Sequence, residues 1–114
     1  MKALVAVSQH WLNSEKIRDV LVELPISSTV MISDRVGGDT LASKIAEEEL
    51  ALRVEKIDVT SENFRKLLTK IIAEDDLDAC YFFTLGTHEV EYALSRISRA
   101  SRIPTETVTE SFGV

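Results

Sequence analysis

Val30-Met31-Ile32-Ser33-Asp34-Arg35-Val36-Gly37-Gly38-Asp39-Thr40-Leu41-Ala42-Ser43-Lys44-Ile45-Ala46-Glu47-Glu48-Glu49-Leu50 is the stretch from which the fold is read. Val30-Met31-Ile32 reads as a short buried strand, and Gly37-Gly38 falls in a polar turn. Leu41, Ala42, Ile45 and Ala46 then recur at the spacing of one helix face. A strand, a glycine turn and a helix start point unpaired N–H groups and the positive end of a helix dipole at one place. That place suits a phosphate or a carboxylate. Glycine also serves tight strand-to-helix turns for steric reasons alone, so the residues by themselves leave both readings open.

The same alternation extends in both directions. Leu4 to Val7 is an apolar run of the kind a strand covered on both faces shows. A helix is predicted from Ser14 to Leu24 on Ile17, Val20, Leu21 and Leu24, with Asn13 or Ser14 as N-cap and Pro25 as stop. Leu52 to Val59 reads as a third strand, with Ile57 and Val59 on one face. Thr60 or Ser61 caps a third helix striped by Phe64, Leu67, Leu68, Ile71 and Ile72. Asp78 to Thr84 is a fourth strand, and a fourth helix carries Val90, Leu94, Ile97 and Ser101 on one side. Thr105 to Thr109 closes the order β-α-β-α-β-α-β-α-β. The pattern predicts a doubly wound, mostly parallel five-stranded α/β sheet with four helices, as one domain over residues 1–114.

Composition narrows the function classes. The 114 residues carry a formal net charge of −6, which argues against nucleic-acid binding. The apolar N-terminal run is too short for a signal peptide, and no stretch approaches a membrane span, so a cytoplasmic protein is expected. The one cysteine, Cys80, lies in an apolar run and reads as a core residue. Limited helix cover for so short a chain points to a homodimer or higher homo-oligomer.

Ligands of doubly wound sheets bind at the carboxyl ends of the strands. Three loops are expected there: Ser8 to Asn13, Ser33 to Asp39 and Leu85 to Glu89. They supply a candidate ligand-binding set of Ser8, Gln9, His10, Arg35, Gly37, Gly38, Asp39, Thr40, Gly86 and Thr87. Arg35 is able to clamp a phosphate bidentately, or to stand as a solvated surface arginine. Asp39 suits a helix-start role, with a ribose hydroxyl as its alternative partner. Trp11 offers a stacking face or a packing one. The dinucleotide fingerprint and the Gly-Lys-Ser/Thr phosphate loop are absent, and no cofactor is expected. His10 and His88 lie in the loops without metal-ligand spacing, and no metal site is expected.

Leu4-Val5-Ala6-Val7-Ser8-Gln9-His10-Trp11 resembles the Val-Thr-Gly-Ser-Arg-Asp-Trp opening of the YspA-like branch of the SLOG (Smf/DprA–LOG) superfamily. The segment Ser33 to Ala42 is similar to that branch's Gly-Gly-Ala-x-Gly-Ala-Asp-x-Leu-Ala, and Gly86-Thr87 with Ser101-Arg102-Ile103-Pro104 resembles its Gly-Thr…Ala-Gly-Ile-Pro close. The resemblance spans nearly the whole chain. It implies a Rossmann-like domain that binds nucleotide-derived ligands such as nucleoside phosphates or ADP-ribose, with Ser8, Gly37, Asp39, Gly86 and Thr87 at the family's pocket positions. Some relatives only bind; the LOG phosphoribohydrolases cleave the N-glycosidic bond of nucleoside monophosphates. Their Pro-Gly-Gly-x-Gly-Thr-x-x-Glu places its glutamate at Val90 here, and Glu89 comes one residue, about 100° of helix, too early. The expectation is therefore a sensor or sequestering domain for a phosphorylated nucleotide-like molecule. An N-glycosidase using Glu89 or Asp39 is the alternative, and a non-catalytic interaction protein the third reading.

Overall fold

A computed structural model describes residues 1–59 and 64–110. Strands β1 (Lys2–Val7), β2 (Thr29–Ser33), β3 (Arg53–Ile57), β4 (Ala79–Thr84) and β5 (Thr105–Thr109) alternate with helices α1 (Ser14–Leu21), α2 (Gly38–Lys44), α3 (Phe64–Glu74) and α4 (Val90–Ala100). The sheet is parallel throughout, in the order β3-β2-β1-β4-β5. The arrangement is α/β and Rossmann-like, as the alternation predicts. The expected cap at Thr60 or Ser61 lies outside the described residues.

Side-chain alternation along β1 divides the interior in two. Ala3, Val5 and Val7 face α1 and α2, where they meet Ile17, Leu21, Ala42 and Ile45. Leu4 and Ala6 face α3 and α4, where they meet Phe64, Leu68, Ile72 and Leu94. With helices on both faces, β1 has no solvated side, and its run is apolar without interruption. Each large side chain buried here contributes about 1.5–3 kcal/mol. Trp11 belongs to the first core rather than to a ligand surface. Its ring meets Phe83 edge-on at 5.5 Å, and its indole N–H donates to the Asn13 carbonyl at 2.8 Å. Cys80 is buried against the second core, as expected.

Three local expectations are corrected, and α2 shows a turn that the sequence does not announce. Helix α1 stops at Leu21 rather than Leu24; Asn13 is its cap, accepting from Lys16 N–H at 3.3 Å. Helix α2 widens into a π-helical turn over Ile45–Glu49, closed by Leu50 N–H to the Ile45 carbonyl at 3.1 Å. The third strand is shorter than Leu52 to Val59. Among the described residues it is an edge strand paired with β2, and its exposed Arg53, Glu55 and Lys56 suit a rim that must not recruit another strand. On α4 the buried residues are Glu91, Leu94, Ser95 and Ser98, while Ser101 is exposed. That inner face is largely polar, so counting apolar residues misplaces it.

Candidate functional site

The strand order reverses between β1 and β4, which makes the crevice outside their carboxyl ends the switch point of the sheet. The three expected loops follow β1, β2 and β4 and reach this edge together. What fills the edge is a hydrogen-bonded set of the chain's own acids.

Beyond Ile32, β2 diverges from β1, and the Asp39 carboxylate takes over where a strand carbonyl would have paired. Asp39 Oδ1 accepts from Val7 N–H at 2.7 Å. Its Oδ2 accepts a short bond from the Ser33 hydroxyl and a longer one, 3.2 Å, from Arg35 Nε. Arg35 Nη2 donates to the Val7 carbonyl at 2.9 Å and to Glu91 Oε2 at 2.6 Å. The guanidinium also lies 3.7 Å from the centre of the Phe64 ring, a cation–π contact with the first residue of α3. Asp39 and Glu91 are 1% and 2% exposed, so two buried carboxylates share one guanidinium. Burial pushes the Asp39 carboxyl up to about 6, and the Glu91 charge adds to that. The Ser33 hydrogen bond, Arg35 and Val7 N–H pull the other way and do not cancel it.

A second carboxylate group forms beside the first. Glu89, half-buried at the start of α4, accepts from the Ser8 hydroxyl at 2.9 Å and from Leu85 N–H at 2.6 Å. Thr84 Oγ1 lies 3.2 Å from the same carboxylate and donates to the Gly86 carbonyl at 2.8 Å. Ser8 is itself fixed, its N–H bonded to the Phe83 carbonyl at 2.8 Å. Glu89 is the N-cap of α4 but makes no side-chain cap bond, because its carboxylate is turned toward the crevice.

The glycine turns are closed by the chain itself. A Cβ on Gly38 would stand 2.1 Å from the Ser8 carbonyl oxygen, and one on Gly37, at φ +115°, would stand 2.6 Å from that of Gln9. These glycines let the turn after β2 lie against the loop after β1. The sequence points to amide clusters after Ile32 and Phe83 cradling one anion. In the structure, Leu85 N–H is taken by Glu89, and the first turn is packed onto backbone. The loops converge as expected, but their shared space holds carboxylates.

Of the candidate ligand-binding residues, Ser8, Gly38 and Asp39 are buried, with Arg35 and Gly37 partly so. Gln9, His10, Thr40 and Thr87 are exposed at the rim, and Gly86 is partly covered by the His88 ring. Thr40 turns back, its hydroxyl donating to the Arg35 carbonyl at 3.2 Å. Among the described residues no three His, Cys, Asp or Glu side chains are grouped to hold a metal ion. Sequence reasoning misses Ser33, Thr84 and Glu91. Ser33 and Thr84 are polar residues ending apolar strands, a signal the sequence does carry. Glu91 shows none, since a glutamate in the first turn of a helix is ordinarily solvated.

Together these features define a Rossmann-like α/β domain with an acidic, hydroxyl-rich crevice at its switch point. No protein-family model matches the chain, and no curated protein and no solved structure matches it either.

Proposed function

We propose that this domain binds a phosphorylated nucleotide-derived small molecule, of the nucleoside phosphate or ADP-ribose type, as a sensor or sequestering protein. The observation that carries the reading is the Glu89 carboxylate, half-buried at the switch point and oriented by Ser8, Thr84 and Leu85 N–H. A fixed carboxylate at this edge of a parallel sheet suits vicinal ribose hydroxyls, which donate to it. Arg35 does not fit as a phosphate clamp, because Asp39, Glu91 and the Val7 carbonyl already occupy its guanidinium. The resemblance to the SLOG superfamily supports the same ligand class.

Thermal denaturation with a panel of nucleosides, nucleoside monophosphates and ADP-ribose tests the proposal. A ligand at 100 times its dissociation constant adds about 2.7 kcal/mol of stability. Glu89→Gln keeps the shape of the site and is expected to remove most of that gain. A panel that leaves the melting point unchanged refutes the proposal.

The N-glycosidase reading is favoured by one feature, the same oriented Glu89, which unlike Asp39 and Glu91 is not fully buried. Asp39 is sealed from substrate and has no place in such a reaction. Release of free base from a nucleoside monophosphate, abolished in Glu89→Gln, would establish catalysis; intact nucleotide after prolonged incubation leaves binding alone.

A further inference from the structure

We propose that the ligand's phosphate is held outside the glycine turns, in the groove between α3 and α4 whose lining includes Arg65, Thr87, Tyr92 and Arg96. The inference rests on the reading of Glu89 as the hydroxyl acceptor.

The crevice itself repels an anion. Glu89 is the carboxylate it presents, the buried Asp39 and Glu91 already occupy the guanidinium of Arg35, and the Leu85 amide is bonded to Glu89. Beside it lies a groove of about 280 Å³ lined by Arg65, Thr87, Tyr92, Ala93, Arg96 and Ile97. Among the described residues no acidic side chain lines it. Its described lining carries two guanidinium groups, opposite in sign to the crevice, on a chain whose net charge is −6.

Crevice and groove draw residues from the same two elements, the start of α3 and the segment leading into α4. Phe64, directly before Arg65, lies beneath Arg35 of the crevice. Thr87 lies two residues before Glu89 in the loop that joins β4 to α4. A ligand with ribose at Glu89 thus has a positive region within reach of its phosphate, and guanidinium groups bind phosphate through paired N–H donors. Tyr92, partly buried, supplies a flat apolar wall.

The test is calorimetric titration of wild type and an Arg65→Gln/Arg96→Gln variant with four nucleosides, their 5′-monophosphates and inorganic pyrophosphate. Lys70→Gln, on the exposed side of α3, serves as the control. Both arginines are exposed, so the variant is expected to fold, which circular dichroism checks. Expected is a monophosphate bound about tenfold or more tighter than its nucleoside by wild type and by the control. In the double variant the two bind alike, while nucleoside affinity is kept. A phosphate increment that survives in the double variant overturns the groove, as does wild type that binds nucleoside and monophosphate equally. Pyrophosphate separates the two proposals. Its binding by wild type but not by the variant, with no nucleoside bound, supports the groove and refutes the functional reading. Nucleoside binding with neither increment nor pyrophosphate binding does the reverse.

Discussion

Arg35 Nη2 lies 2.6 Å from Glu91 Oε2, and this contact ties the turn after β2 to the first turn of α4 across the end of β1. The same guanidinium reaches Asp39 at the start of α2 and the Phe64 ring at the start of α3. Three helix starts are therefore pinned to one cation.

Replacing Arg35 by alanine leaves Asp39 and Glu91 buried without a counter-charge. The expected loss is about 3–5 kcal/mol in urea denaturation. Arg18 makes an equally well-formed pair with Glu49, with contacts of 2.8 and 3.0 Å, but at the surface. Arg18→Ala is expected to cost much less, because solvent screens that exposed pair. Equal losses for the two variants would show that burial of the Arg35 network does not govern its contribution.

The pH dependence follows from Asp39. Its carboxyl titrates near 3.8 in an ordinary setting and at about 6 in the folded chain, because burial penalises the charge. Between those values the folded state holds a proton that the unfolded state has lost. Stability from this group is therefore full below about pH 4 and falls as pH rises through about 6, by an amount on the order of 3 kcal/mol. Asp39→Asn keeps an acceptor for Val7 N–H and cannot titrate. The stability of wild type relative to this variant is expected to decline from pH 4 to pH 7 in urea titrations. A difference that stays flat, or rises, contradicts the assignment.

The two glycine turns respond differently to an added methyl group. Gly38→Ala drives Cβ into the Ser8 carbonyl and Val7 Cγ1, at 2.1 and 2.5 Å, and neither neighbour has room to retreat. A loss of about 3 kcal/mol or more is expected. On Gly86 the nearest atom is Cε1 of the His88 ring at 2.8 Å, and that exposed side chain is free to swing away. Gly86→Ala should cost less than about 1 kcal/mol. Melting curves of the two variants check the ordering, and a reversal would mean that the turn after β2 is not pressed onto the first loop.

The parts of this fold that are readable in the sequence are those where apolar residues alone mark the buried side. In β1 both faces are covered, so no polar–apolar alternation shows, yet the unbroken apolar run from Ala3 to Val7 identifies the strand as central. Helix α3, striped by Phe64, Leu68 and Ile72, is the clearest case, and all three are buried. Helix α4 shows the limit. Its inner face runs Glu91, Leu94, Ser95, Ser98, and a count of apolar residues rotates that face toward Val90 and Ile97. Glu91 is lost to that rotation, and with it the Arg35 network. Strand order is equally silent, because nothing within Ala79–Thr84 states that it will lie beside β1. The glycine turns are legible as turns. That their amides and space are used by Glu89 and by the Ser8–Gln9 backbone depends on contacts between residues far apart in the chain.

Arg102 stands where the resembled Ala-Gly-Ile-Pro has its glycine, and the backbone there supplies the reason for glycine. Arg102 has φ +63°, and the end of α4 is closed by Arg102 N–H to the Arg99 carbonyl at 3.0 Å and Ile103 N–H to the Ser98 carbonyl at 3.2 Å. That pair of bonds is a Schellman ending, whose left-handed residue costs a side chain about 1 kcal/mol relative to glycine. Arg102→Gly relieves the strain but gives up a favourable charge near the helix C-terminus and adds freedom to the unfolded chain. A net gain of about 0.5 kcal/mol is expected. Arg102→Ala loses the charge and keeps the strain, so it should be slightly destabilising. The glycine variant is then about 0.5 kcal/mol more stable than the alanine one, a few degrees in melting temperature for a chain of this size. An alanine variant as stable as the glycine one would show that the left-handed ending carries no measurable strain.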